Sequence, residues 1–358
     1  MFFFQAAAGE LTNQQDHVKS FFTDATRFGF EKPVGNGGFG FGLLFHERLP
    51  DGTQQRFVVK RAMAIQSQVE NEIVWLKLLQ HAKHVVNLVH IERNPLEPNA
   101  QGQGGIMGPF IVMEYLENGT LDTLASRTEG VDLPNRVVTF ILLCLTRACI
   151  GMAYPPPGPN PDGSQPEETT DPSKAPGLLA HFDINNGNVM FGRLDRTRRE
   201  HALLPILKLI DFGLASNKDY PSTAAPQQVA GFDAVLQLEK HRTNGATSHG
   251  VEANICDIAN VLVLTLARIG MGTDEKCRRE MMNPNNFAHL DNDLRLLIAR
   301  CLAADPSNRP KLDDLLARLQ QLVRDQADIA YAQQPGKSRE SDAEIEAFVQ
   351  RYILDAPI

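Results

Sequence analysis

A change of hydrophobic period partway along the chain constrains its fold more than any other feature. Residues 28–60 alternate glycine-rich turns with short apolar runs such as Phe57-Val58-Val59, a pattern that suits strands. From about residue 119 the apolar positions spread into long helical stretches, at 135–153, 253–269, 292–303 and 311–325. One helix is expected earlier, over 67–80, with Val69, Ile73, Leu76 and Gln80 on one face. Ser67 and Glu70 have the S-x-x-E form of a capping box at its start. Residues 110–116 (FIVMEYL) read as a further strand. The chain is therefore expected to be α+β, with a small sheet-bearing N-terminal part and a larger helical C-terminal part.

Four zones interrupt this pattern. Residues 94–109 and 155–177 are rich in Pro, Gly and Asn and read as surface loops, the second long enough to lack fixed structure. Residues 216–250 are polar, and the tail beyond about Gln326 is charged and loosely helical. No internal repeat is visible. Hydrophobic residues make up 42% of the 358 and charged residues 22%, which excludes a disordered or fibrous chain. The net charge of −8 argues against nucleic-acid binding, because a phosphate backbone demands a basic surface. Cys144, Cys149, Cys256, Cys277 and Cys301 are odd in number and form no C-x-x-C pair. Buried reduced thiols are expected, rather than a zinc ribbon or a disulfide framework. The start MFFFQAAAGE has no basic region and too short an apolar run for a secretory signal. Residues 137–149 are apolar but carry Arg147, and read as a buried core helix rather than a membrane span. An intracellular, cytoplasmic protein is the expectation.

Five motifs then occur in order. Gly35-Asn36-Gly37-Gly38-Phe39-Gly40 is a G-x-G-x-x-G run, whose missing side chains would let main-chain N–H groups approach phosphates. A dinucleotide-binding unit needs a helix directly after such a run, and here a strand, a turn and a strand follow instead. Lys60 closes the run Phe57-Val58-Val59, where a lysine can meet phosphate oxygens or simply be an edge residue. Glu72 lies near the apolar face of the 67–80 helix and can turn inward toward a cation or stay solvated. His181-Phe182-Asp183-Ile184-Asn185-Asn186-Gly187-Asn188 fits H-x-D-x-x-x-x-N, and Asp211-Phe212-Gly213 follows the apolar run LKLI. Asn188 and Asp211 supply hard oxygen donors suited to Mg²⁺, and Asp183 can accept a hydroxyl proton.

Taken together, these motifs resemble the eukaryotic protein kinase family over roughly residues 25–325. FVVK, NEIVWLKLL, IVMEYLENGTL, HFDINNGNV, DFGLAS, CDIA at 256–259 and CLAADPSNRP at 301–310 all match in order. The resemblance implies a two-lobed fold with ATP in the cleft: an N-lobe over 25–115 with one main helix, and a helical C-lobe over 116–325 carrying the Pro-rich insert 155–177. Residues 1–24 and 326–358 would be extensions. Gly35, Gly37 and Gly40 would cover the phosphates, with Gly38 and Phe39 in the same loop. Lys60 would hold the α- and β-phosphates and pair with Glu72. Main-chain groups of Glu114 and Leu116 would bind adenine beside the gatekeeper Met113, with Val58 and Met190 lining the site. Asp183 would orient and deprotonate the acceptor, and Asn188 and Asp211 would hold Mg²⁺. Asp257 would brace the catalytic loop. The implied activity is transfer of the γ-phosphate of ATP to a protein substrate, with Ser/Thr expected over Tyr.

The chain also departs from the family. Phe182 stands where many members carry an arginine that reads an activation-segment phosphate, so Ser222, Thr223, Thr243, Thr247 and Ser248 lack that partner. Lys60 and Glu72 are only 12 residues apart, and with Phe182 this implies a constitutively assembled pair. Another basic residue, such as Lys218, Lys240 or Arg242, is the alternative phosphate reader. Asn185 replaces the lysine common in Ser/Thr members, and no A-P-E motif is visible. Arg309 would then need another carboxylate, such as Glu239 or Glu252. Gly42 and Val58 invert the family's usual Val and Ala on facing strands, an exchange that roughly keeps volume. These departures leave a pseudokinase as the alternative. A small-molecule phosphotransferase, which shares H-x-D-x-x-x-x-N and an Ile-Asp pair, is the lesser one.

Overall fold

The computed structural model describes residues 8–37, 40–63, 65–196, 199–217, 250–268, 273–283, 285–327 and 329–354. It divides into two compact units, Met1–Gln80 with Val86–Tyr115, and His81–Val85 with Leu116–Ile358. The architecture is mixed α+β.

In the first unit, β1 (Phe28–Gly37), β2 (Gly40–Arg48), β3 (Gln54–Ala62) and β4 (Phe110–Glu114) form one antiparallel sheet in that order. Leu49-Pro50-Asp51-Gly52 makes the β2–β3 turn. Pro50 presets the turn, Asp51 Oδ1 accepts from Thr53 N at 2.9 Å, and Gly52 takes φ 84°, which a side chain would oppose. The register places Phe45 opposite Phe57, and Leu43, Val59 and Val112 in one row. These residues and Phe41 belong to one buried core with Phe28, Ile91 and Leu96. Helix α1 (Ala8–Lys19) joins that core: Val18 is fully buried, and Phe22 just beyond it stacks on Phe45 with ring centroids 4.3 Å apart. Burying each such aromatic side chain is worth about 1.5–3 kcal/mol.

Helix α2 (Gln66–Leu78) covers the expected stretch, with two corrections. Its N-cap is Ile65 and no side chain caps it, so the capping box of Ser67 and Glu70 does not form. The helix starts earlier than the motif suggests, which puts Ser67 inside the first turn. The buried face is Val69, Glu72, Leu76 and Leu79, whereas Ile73 is half-buried and Gln80 exposed. The face is rotated from the apolar stripe because it accommodates Glu72.

The second unit is mostly helical. Its described helices are α3 (Leu121–Arg127), α4 (Asn135–Ala153), α5 (Gly250–Ala267), α6 (Asp274–Met282), α7 (Asn292–Cys301), α8 (Leu312–Gln326), α9 (Ile329–Ala332) and α10 (Asp342–Val349). Helix α4 is apolar on all sides and buries every residue but Arg136, packing against α5 and α8. Both α4 and α5 are long and apolar enough to cross a bilayer, and both are mostly buried inside this unit. A two-stranded hairpin of β5 (Val189–Phe191) and β6 (Leu207–Leu209) completes it. All five cysteines are buried and free.

Two segments are more ordered than their composition suggests. The insert 155–177, expected as a surface loop without fixed structure, buries Glu168 to 2% exposure. The tail beyond Gln326 packs Tyr331, Ile345, Phe348, Val349 and Ile353 inside. Its Glu340 accepts from Asn135 N at 2.7 Å and Arg136 N at 3.1 Å, capping α4 where Pro134 offers no side-chain cap.

Candidate functional site

Each unit assembles part of the expected set. In the first unit, cross-strand neighbours share a face, so register decides what meets. Leu44, Val58 and Met113 form one row, and Gly42, Lys60 and Ile111 the next. Both rows lie on the face opposite the aromatic core. A Cβ at Gly42 would meet Val34 Cγ2 at 3.3 Å and Val58 Cγ1 at 3.4 Å. The side chain that Gly42 lacks and the one that Val58 adds therefore occupy adjoining space. From α2, Glu72 reaches this face at 1% exposure and accepts from Lys60 Nζ at 2.7 Å. A buried carboxylate is costly unless paired, so this pair fixes the position of the ammonium on β3.

The glycine run spans the β1–β2 hairpin, where Gly35 pairs with Gly42 and Gly37 with Gly40. A Cβ at Gly40 would lie 2.2 Å from Arg61 O, so only glycine fits there. Gly35 has open space about it. Gly38 and Phe39 lie outside the described residues. On β4, Met113 is buried. Glu114 donates its main-chain N–H to Asn87 O at 3.0 Å, and its carboxylate accepts from Asn87 N and Nδ2, both at 2.8 Å.

In the second unit the segment 181–188 is a hydrogen-bonded knot. Asn188 Nδ2 donates to Asp183 Oδ2 at 2.8 Å and to Asp183 O at 2.9 Å. Asn185 Nδ2 donates to Asp183 Oδ1 at 3.0 Å, while Asn185 Oδ1 accepts from Gly187 N at 2.9 Å and Asn188 N at 3.2 Å. Both carboxylate oxygens of Asp183 are thus held by amides, and Asn185 caps the short turn that carries Asn188. His181 anchors the knot: its Nδ1 accepts from Asp183 N at 3.2 Å, which leaves Nε2 to donate to Ile210 O at 3.0 Å.

Asn188 immediately precedes β5 and Asp211 follows β6. Val189 pairs with Leu209, and Asn188 O accepts from Ile210 N at 3.0 Å, so the two residues share one end of the hairpin. Asn188 spends its amide nitrogen on Asp183, which turns its oxygen the other way. An amide oxygen and a carboxylate at one hairpin end are hard donors and fit Mg²⁺. Phe182 and Asp211 have φ of 60° and 64°, a region that non-glycine residues adopt at a cost. Met190, on β5, pairs with Lys208 and bridges to Thr120, and buried Leu116 packs near Gly192 just beyond β5.

Three contributions were not foreseen from sequence. Asn254, one turn before Asp257 on α5, accepts from His181 N at 3.1 Å and donates to Leu179 O at 2.9 Å. Its polar side chain within the mostly apolar stretch 253–263 is the one sequence signal for it. Asn185 works as a cap, and Asn87 holds the end of β4. Asp257 is itself buried. Arg309 finds main-chain oxygens, donating to Glu252 O at 2.6 Å and Ala303 O at 3.0 Å. Glu239, Lys218, Lys240, Arg242, Ser222, Thr223, Thr243, Thr247 and Ser248 lie outside the described residues.

No protein-family model matches the chain, and no curated protein matches it.

Proposed function

We propose that the chain is an ATP-dependent protein kinase that transfers the γ-phosphoryl group of Mg-ATP to a protein hydroxyl, Ser or Thr in preference to Tyr. The observation that carries this reading is the knot at Asp183. It places a carboxylate, fixed on both oxygens, beside an asparagine whose amide oxygen shares a hairpin end with Asp211. In-line phosphoryl transfer asks little more of a protein than a positioned acceptor and compensation for charge on the moving group. Asp183 would orient the acceptor hydroxyl and take its proton. Asn188 and Asp211 would hold Mg²⁺, whose chemistry when bound is to neutralise phosphate charge. Lys60, fixed by Glu72, would hold the α- and β-phosphates. Strained backbone at Phe182 and Asp211 supports the reading, because such strain persists where the surroundings enforce it for function.

A pseudokinase is the second reading, and Asn185 favours it. Its amide is spent on Asp183 and on two main-chain N–H groups, so it supplies no cation to the transferred phosphate. Thermal unfolding with and without Mg-ATP tests the binding half of the proposal. A ligand at about 100 times its Kd stabilises by about 2.7 kcal/mol. The wild type should gain stability in this way, and Asp211→Ala should lose most of the gain. An equal gain in both would remove Asp211 from the metal site.

A further inference from the structure

A second polar cluster lies inside the second unit and belongs to none of the motifs above. It gathers four stretches distant in sequence: Lys83 and His84, Cys144 and Arg147 of α4, Glu167 and Glu168 of the insert, and Glu200 and His201. His84 and His201 are 0% and 1% exposed, and Cys144 and Glu168 are buried with them. A ring nitrogen of each histidine and Cys144 Sγ lie within 4.8 Å of one another. Glu167 comes equally close to His201 in a set with Glu200, and to His84 in a set with Glu168.

The hydrogen bonds define what each group has left to offer. Glu168 accepts from the main-chain N–H of His84 at 2.7 Å, and its second oxygen lies 2.6 Å from His84 Nδ1. That 2.6 Å approach to a carboxylate oxygen puts the proton on Nδ1 of His84, and Nε2 is buried with no hydrogen-bond partner among the described residues. Both ring nitrogens of His201 are buried in the same condition, with the nearest carboxylate oxygen, from Glu167, 3.7 Å away. Glu167 Oε2 is likewise buried without a hydrogen bond, 3.7 Å from Arg147. The cations are engaged elsewhere: Arg147 forks onto Glu200 at 2.8 and 2.6 Å, and Lys83 pairs with the other oxygen of Glu167.

This leaves potential ligand atoms within 4.8 Å of one another, with the free nitrogens of both histidines unpartnered among the described residues. It also leaves a charge imbalance among the described residues, since three carboxylates face two cations there when the histidines are neutral and the thiol is protonated. A divalent ion that displaces the thiol proton cancels the excess. Two imidazoles, a thiolate and a carboxylate are the donors that suit tetrahedral zinc, and they are too soft a set for Mg²⁺ or Ca²⁺. A carboxylate on the far nitrogen of a ligating histidine is the arrangement that fixes such a ring. We propose that this cluster is a structural site for zinc or a similar divalent transition-metal ion. The ligands are His84 Nε2, Cys144 Sγ and His201, with Glu167 as the fourth donor. The ion ties the 81–85 segment and the Pro-rich insert to α4.

The test uses the full-length, tag-free chain. The protein is passed over chelating resin and its metal content measured, and a cobalt-loaded sample is examined by absorption spectroscopy. About one zinc ion per chain is expected. The cobalt form should show intense tetrahedral d–d bands and a thiolate-to-cobalt charge-transfer band in the near ultraviolet. Cys144→Ser should lose the charge-transfer band, and His201→Gln should lose most of the zinc. Wild-type protein expressed with zinc that carries far less than one ion per chain, or a cobalt form without the thiolate band, would overturn the proposal. Both decisive readings come from the wild type, so a variant that fails to fold does not blunt the test.

Discussion

Asn185 illustrates how a residue's type can mislead about its work. By type, it is the absence of a cation. By position, it holds Asp183 Oδ1 and caps the turn that presents Asn188. Asn185→Ala should therefore lower phosphoryl transfer on the order of 10²-fold, as a displaced catalytic group does, with a much smaller loss of Mg-ATP affinity through the loosened Asn188 turn. Single-turnover rates and a binding isotherm check this, and parallel losses in both would contradict it. The candidate residues themselves were legible, because Lys60, Glu72, Asp183, Asn188 and Asp211 stand in motifs of fixed order. Their supports were not. Asn254 reaches His181 and Glu168 reaches His84 across long stretches of chain, and no local pattern encodes such a partner. The scattered histidines and cysteine of the buried cluster escaped notice for the same reason: their spacing matches no ligand motif.

Among the elements, the sheet makes the sharpest prediction, because Gly42 and Val58 share space. Gly42→Val alone should destabilise by about 1–3 kcal/mol through overpacking against Val34 and Val58. Adding Val58→Ala should recover most of that loss, a coupling that urea unfolding of the full double-mutant cycle reads directly. Additive costs would show that the two positions do not meet. The same unit carries an acid-sensitive pair. The hydrogen bond from Arg56 holds the Glu31 carboxyl below its ordinary value of 4.5. A depressed carboxyl lends stability above the unfolded pKa and loses it as pH falls through the folded one. Glu31→Gln should thus cost stability at neutral pH, by an amount that shrinks as pH falls below about 4.5, and so flatten the profile that urea unfolding reads across pH. Strands and long helices were readable from period alone. The start of α2 was not, because tertiary packing around Glu72 set its rotation and overrode the local capping pattern.

For the molecule as a whole, the described terminal segments, α1 and the stretch from 329 to 354, prove to be part of the folded units. Glu340 caps α4 from 205 residues away, so Glu340→Ala should destabilise the second unit by about 1.5–3 kcal/mol, read by thermal unfolding. An unchanged midpoint would mean that the tail is dispensable. The insert looked loose in sequence because its anchors are a few polar residues, and the tail because its buried Tyr331, Ile345, Phe348, Val349 and Ile353 are spread among charged ones. The central claim is chemical and has one direct measurement: transfer of labelled γ-phosphate from ATP to a generic protein acceptor with Mg²⁺ present, comparing wild type with Asp183→Asn. Wild type is expected to transfer the label and the variant to lose nearly all transfer, with Mg-ATP binding retained by both. Transfer that survives Asp183→Asn, or its absence from both proteins, would contradict it.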